Sequence, residues 1–244
     1  GKAVVFPTGV YSAAGIVSTK PDQQFIAIGD VWINKSANGP IWTVQGRECL
    51  FERIKFNGMA GSYTGHNLVV DASNCTLINC GSRNAAGRAV LSLSGDNLRI
   101  IGTCDIYQTA DQSSSGYDIE IAGGGVYSRI ISITTSQHAG GILFDSATTA
   151  SVIGCQVGKL DVINEGSVFV SASRIHTISI AGSNCTFSGN AIASGVTIGP
   201  GGVTIGGIQW SSSSVLPGGA TFNVGENVRF STLHLESAQD TGAV

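Results

Sequence analysis

Acidic residues are scarce in this chain, 16 in 244 positions, so any gathering of them stands out. Asp118 and Glu120 flank Ile119. If Ile119 and Ile121 face a core, both carboxyls face outward, because side chains alternate along a strand. Asp145 follows Ile142-Leu143-Phe144, and Asp161 and Glu165 come one segment later. Five carboxyls on roughly one face of three successive segments would suit glycoside hydrolysis. There one acid protonates the leaving oxygen and a second acts as base or nucleophile. The pair stands about 5 Å apart for retention and about 6.5–9.5 Å apart for inversion. Strands stacked at about 4.8 Å supply those separations from neighbouring segments. The stretch 107–117 leads directly into Asp118 and brings Tyr107, Asp111 and Tyr117, whose aromatic rings suit stacking on sugar faces. The candidate catalytic residues are therefore Asp118, Glu120 and Asp145. Tyr107, Asp111, Tyr117, Arg129, His138 and Trp42 are the candidate substrate contacts. A plainer reading stands beside this one. Outward acids also serve as solubilising groups, and Asp71, Asp145 and Glu165 share a turn position where a carboxylate bonds backbone amides.

Other chemistries have weaker footholds. A lyase needs a Tyr or His base and a cation for a uronate, and Tyr127, Arg129 and His138 lie close together after the long stretch. Glu48, Glu52 and Asp71 with Arg47 and Arg53 form a second charged group. A calcium site could draw on the acids, but no EF-hand spacing exists, and no metal or cofactor is expected. There is no Gly-x-Ser-x-Gly, and Gly123-Gly124-Gly125 and Gly201-Gly202 lack a P-loop lysine, so they read as turns. Trp42 has two readings, an exposed sugar platform or a buried end cap. The six cysteines form no CxxC pair and read as buried small hydrophobes rather than a disulfide framework.

The elements that must position these residues are short strands. Apolar residues make up 42% and charged residues only 12%, with 34 glycines and 5 prolines. Val and Ile runs alternate with Ser, Thr, Asn and Gly, a pattern of strands and tight turns. Segments of one grammar recur, with starts near Ile41, Leu68, Val90, Ile119, Ile142, Val162, Ile178 and Val196, hence intervals of 27, 22, 29, 23, 20, 16 and 18 residues. In each, a strand such as Leu68-Val69-Val70 meets a turn at Asp71 to Asn74. A second strand, Cys75 to Ile78, then a bend at Asn79 and a third apolar stretch follow. This drifting period predicts an all-β, right-handed, single-stranded parallel β-helix rather than a sandwich. Its C-terminal coils are short, and it carries excursions near 58–66 and 107–117. In this register Cys49, Cys75, Leu98, Val168 and Cys185 fall in one column, and Cys80, Cys104 and Cys155 in another. Residues 1–215 read as the helix and 216–244 as C-terminal strands, a cap or a trimerisation segment.

The opening Val4-Val5-Phe6-Pro7-Thr8-Gly9-Val10-Tyr11 resembles the first coil of the pectate-lyase-like β-helix superfamily. Within it the coil pattern over most of the chain is similar to bacteriophage tailspikes. That resemblance implies a homotrimer that binds and depolymerises bacterial surface polysaccharide, on a virion or in an extracellular setting. It also implies a capping helix before Val4, which is absent here, so the chain would be a fragment of a larger protein. The same scaffold carries hydrolases, lyases and non-catalytic binders, so the fold does not choose among them.

Net charge is −3 with no basic stripe, which speaks against nucleic acid and anionic membranes as partners. No apolar run reaches the length of a membrane span, and the N-terminus carries no signal-peptide pattern. The expected function is hydrolytic depolymerisation of capsule or O-antigen by paired carboxylates. The alternatives are a non-catalytic carbohydrate-binding or fibre-shaft module, and a polysaccharide lyase.

Overall fold

The structure, a computed structural model, describes residues 3–94, 96–106, 116–122, 126–135, 140–145, 149–163, 167–180, 184–188, 190–198, 203–210, 222–224 and 228–234. Every regular element among them is a strand, and the strands wind into a parallel β-solenoid of about seven turns. Each coil pairs with the next in parallel, so a residue's neighbour across the ladder lies one full coil away in sequence.

Three ladders run up the solenoid. The first aligns Trp42, Leu68, Val90, Ile119, Ile142, Leu160, Ile178 and Val196. The segment starts read from sequence agree with this column except at Ile41, one residue early, and Val162, two residues late. With Leu160 in place, the last three coils are each 18 residues long by that register. They therefore have no room for excursions, whereas the coil from Val90 to Ile119 has 29. The strands Phe222–Val224 and Val228–His234 continue the parallel pairing.

The second ladder sits between two columns of left-handed bends. Glu48, Asn74, Asn97 and Tyr127 precede its strands, and Arg53, Asn79, Gly102, Ser132, Gly154 and Ala172 follow them, all with positive φ. Between the bends are four residues, two facing in and two facing out, as in Cys75 to Ile78. Asn fills these bends repeatedly because its short amide tolerates the left-handed region. Gly102, at φ +100, has a further reason: a Cβ there would lie 2.0 Å from Oδ1 of Asn79 on the coil below.

The core is one continuous stack. Phe25, Phe51, Leu77, Ile100, Ile130, Val152, Val170 and Phe187 follow one another up a single inward column. Cys49, Cys75, Leu98, Val168 and Cys185 share another, with Ser128 and Ala150 completing it. The described cysteine side chains are buried free thiols, and burial pushes Cys75 and Cys185 up to about 11. Thiols so hard to ionise are packing groups rather than nucleophiles.

The N-terminal end of the stack is aromatic. Phe51 meets Phe25 at 4.8 Å and Trp42 at 5.1 Å between ring centroids, and Phe6 closes over Trp42 at 6.4 Å. Trp42 is buried and donates its indole N–H to Ser18 Oγ at 2.7 Å. It is thus an end-cap side chain and offers no face to a sugar. Phe51→Ala removes the ring at the centre of this group, and the truncation should cost about 3–5 kcal/mol. Urea unfolding would register this as a lowered midpoint at unchanged slope, and an unmoved midpoint would contradict the stacked core.

Candidate functional site

The first ladder's outward face builds the site. Ile119 and Ile121 are fully buried, so Glu120 between them points out. The same outward column reads Val69, Leu91, Glu120, Leu143, Asp161 and Ser179. Glu120 and Asp161 are two coils apart, which separates their backbones by about 10 Å. Two residues before each strand lies a second column, His66, Arg88 and Tyr117, whose side chains reach into the first.

The contacts form a chain across four coils. The Arg88 backbone N–H donates to Nδ1 of His66 at 2.8 Å. Its guanidinium pairs with Glu120, Nε to Oε2, at 2.5 Å, with both side chains about four-fifths buried. Cζ of Arg88 also lies 5.3 Å from the centre of the Tyr117 ring. The Tyr117 hydroxyl donates to Oδ2 of Asp161. Nζ of Lys159, from Asp161's own strand, sits 3.8 Å over the same ring. Since Tyr117 reaches Asp161 two coils on, its ring crosses the coil of Leu143. This explains why Leu143, though outward-facing, is only 6% exposed. Gly141 begins that coil because a Cβ there would lie 1.9 Å from the Lys159 carbonyl.

Lys35 supports this arrangement from behind. It is buried, and its ammonium donates to the carbonyls of Thr64, Gly65 and His66 at 3.2, 2.9 and 2.9 Å. The excursion that carries His66 is thereby tied to the coil wall. Burial pushes Lys35 down to about 8. Burial also lowers Lys159, with Asp161 opposing. Tyr117 is pushed well above the usual tyrosine value, first by burial and then by its bond to Asp161, so it stays protonated and donates.

The sequence candidates fare unevenly. Glu120 and Tyr117 are inside the network. Asp118 is fully buried, so it is not the solvent-facing acid that alternation alone implied, although it does have an interaction partner. Asp145 shares the turn column of Asp71, at the far end of its strand from Arg88, and is also partnered. Ser94 donates to Asp71 in that column. Arg129 lies on the second ladder, stacked on Arg99, and does not join the network. Trp42 is in the core. Tyr107, Asp111 and His138, along with Glu165, lie outside the described residues. In the second charged group, Glu52 pairs only with its neighbour Arg53, at 3.0 Å on an exposed surface. Arg88, Lys159 and His66 were missed. Their signal was a shared place, two residues before Leu68, Val90 and Ile119 for the column His66, Arg88, Tyr117. Among the described residues no three His, Cys, Asp or Glu side chains come together as a metal site.

Geometrically this is a half-buried, cross-coil patch of hydrogen-bond donors and acceptors on a flat sheet, a surface suited to hydroxyl-rich ligands. Comparison with known proteins returned no match, whether to family models, curated proteins or solved structures.

His66 makes the patch pH-sensitive. Its pKa lies below the usual 6.5, first because burial disfavours the charged ring and then because Arg88 repels it, with Glu120 pulling the other way. The ring is neutral when folded, while an unfolded chain takes up a proton near pH 6.5. The stabilisation is therefore complete above 6.5 and is lost as pH falls from there toward the folded-state value. Between about pH 7.5 and about pH 5 the wild type should lose stability that His66→Gln does not lose. Parallel melting-temperature profiles of the two proteins would refute this.

Proposed function

We propose that this chain is a tailspike-type domain that recognises and depolymerises bacterial surface polysaccharide by glycoside hydrolysis. In this reading the solenoid is right-handed, assembles as a homotrimer, and works on a virion or otherwise outside the cell. The observation that carries the proposal is the pairing of Glu120 and Asp161. They lie in one outward column, two coils apart, and Arg88 and Tyr117 link them. A backbone separation of about 10 Å leaves the two carboxyl groups within range of the roughly 6.5–9.5 Å used for inversion, where a water molecule fits between base and sugar. Glu120 and Asp161 thus take the place of the Asp118–Glu120 pair, because a fully buried Asp118 offers nothing to a substrate in this conformation. Arg88 and Lys159 supply donors for sugar oxygens beside the two acids.

Non-catalytic carbohydrate binding is the second reading, and one observation favours it. Both carboxylates already hold donors, Glu120 from Arg88 and Asp161 from Tyr117, which suits fixed recognition as well as it suits catalysis. A lyase finds less support here, since a tyrosine pushed upward by burial is a poor base.

The test is incubation with a panel of capsules and O-antigens, measuring new reducing ends. Glu120→Gln and Asp161→Asn should each lower the rate by at least about a hundredfold, with unchanged circular dichroism and melting temperature. Full activity in both variants would remove the catalytic assignment. Binding without any reducing ends, by wild type and variants alike, would select the second reading.

A further inference from the structure

We propose that the Arg88–Tyr117–Asp161 face takes electrically neutral sugar units, recognised through their hydroxyl groups, and not uronate, sialate, phosphate or sulfate-bearing units. The inference rests on the polysaccharide reading and specifies its substrate class.

Its basis is the way charges are matched. Arg88 and Lys159 are the two cations of the face, and Glu120 and Asp161 the two carboxylates. Arg88 is held by Glu120 at 2.5 Å, with only 22% and 17% of the two side chains exposed. An acidic sugar would have to displace a carboxylate already bonded there and leave Glu120 buried without a counter-ion, which is the costly way to break such a pair. Lys159 interacts electrostatically with Asp161, two positions along its strand, and its Nζ is occupied over the Tyr117 ring at 3.8 Å. Lys35, the cation behind the face, spends its donors on three backbone carbonyls. Neutral Nδ1 of His66 accepts from Arg88's own backbone and adds no charge. Asp118 brings a further carboxyl into the wall next to Tyr117. The chain segments that join these coils, 107–115, 136–139, 146–148 and 164–166, contain no Lys or Arg, and they contribute Asp111 and Glu165.

The face therefore has no surplus positive charge for an anionic group. What it does have is alternation: a carboxylate, a guanidinium, a second carboxylate and an ammonium within a few ångströms. Hydroxyl groups are matched by such alternation, because each donates to a carboxylate and accepts from a cation without unbalancing either.

The experiment is retention of the full chain on purified capsular polysaccharides and O-antigens of known composition, half with neutral repeats and half with acidic ones. Retention is read from about 50 to about 500 mM NaCl. Retention on neutral repeats only, with an affinity that salt leaves unchanged, is the expected result. Retention on acidic repeats only, or affinity falling steeply with salt, would overturn the neutral class while keeping the polysaccharide reading. Retention on none of the panel would overturn both. Glu120→Gln gives an independent check, since it uncovers the Arg88 charge. That variant should gain roughly tenfold in affinity for acidic repeats at low salt. No gain, in a variant that melts like the wild type, would show that Arg88 is not held back by Glu120 and would overturn the proposal.

Discussion

The parallel hydrogen-bond ladder between successive coils is the constraint on which everything else depends. Each coil must present its backbone groups in register with the coil below, at a fixed spacing of about 4.8 Å. That requirement turns a one-dimensional sequence into columns. A residue such as Phe51 stacks on Phe25 and beneath Leu77 because the ladder leaves no other choice. The left-handed bends at Asn74, Asn97 and Asn79 follow from the same demand, since every coil must turn at the same height and angle as its neighbours.

The ladder also explains why the polar patch sits where it does. Coils of 18 residues use nearly all of their length to go round once. The coils that begin at Trp42, Leu68 and Val90 are longer, and the extra residues leave the wall just before the first ladder. His66, Arg88 and Tyr117 are the last residues of those longer passages. They lie above the outward column and lean across it, and Lys35 fastens one of them from the inside. Coil length, a sequence property, therefore sets the location of the side chains that can act on a ligand.

Within the patch, burial and pairing work together. Arg88 and Glu120 are largely removed from water, where an isolated charge would be expensive, and each is tolerated because the other is there. Tyr117 covers Leu143 with its ring and satisfies Asp161 with its hydroxyl, so a single side chain shields an apolar surface and completes a polar one. The face is consequently ordered and charge-neutral before any ligand arrives, which suits recognition of a rigid, repetitive polymer with little loss of side-chain freedom.

By itself the sequence determined the fold class, the grammar of strand, turn, strand and bend, the inward columns including that of Cys49, Cys75 and Cys185, and the long and short coils. All of these are periodic, and period is visible in one dimension. Alternation also placed Glu120 outward, though the start at Val162 slipped by two residues because Leu160 and Val162 are equally apolar. Only the tertiary structure decided which polar groups meet. Tyr117 and Asp161 are 44 residues apart and Arg88 and Glu120 are 32 apart, separations that no local pattern encodes. Alternation also could not foresee that Asp118 would be covered or that Trp42 would close the core. Whether a side chain is exposed depends on what the neighbouring coils lay over it, and that is settled only when the ladder closes.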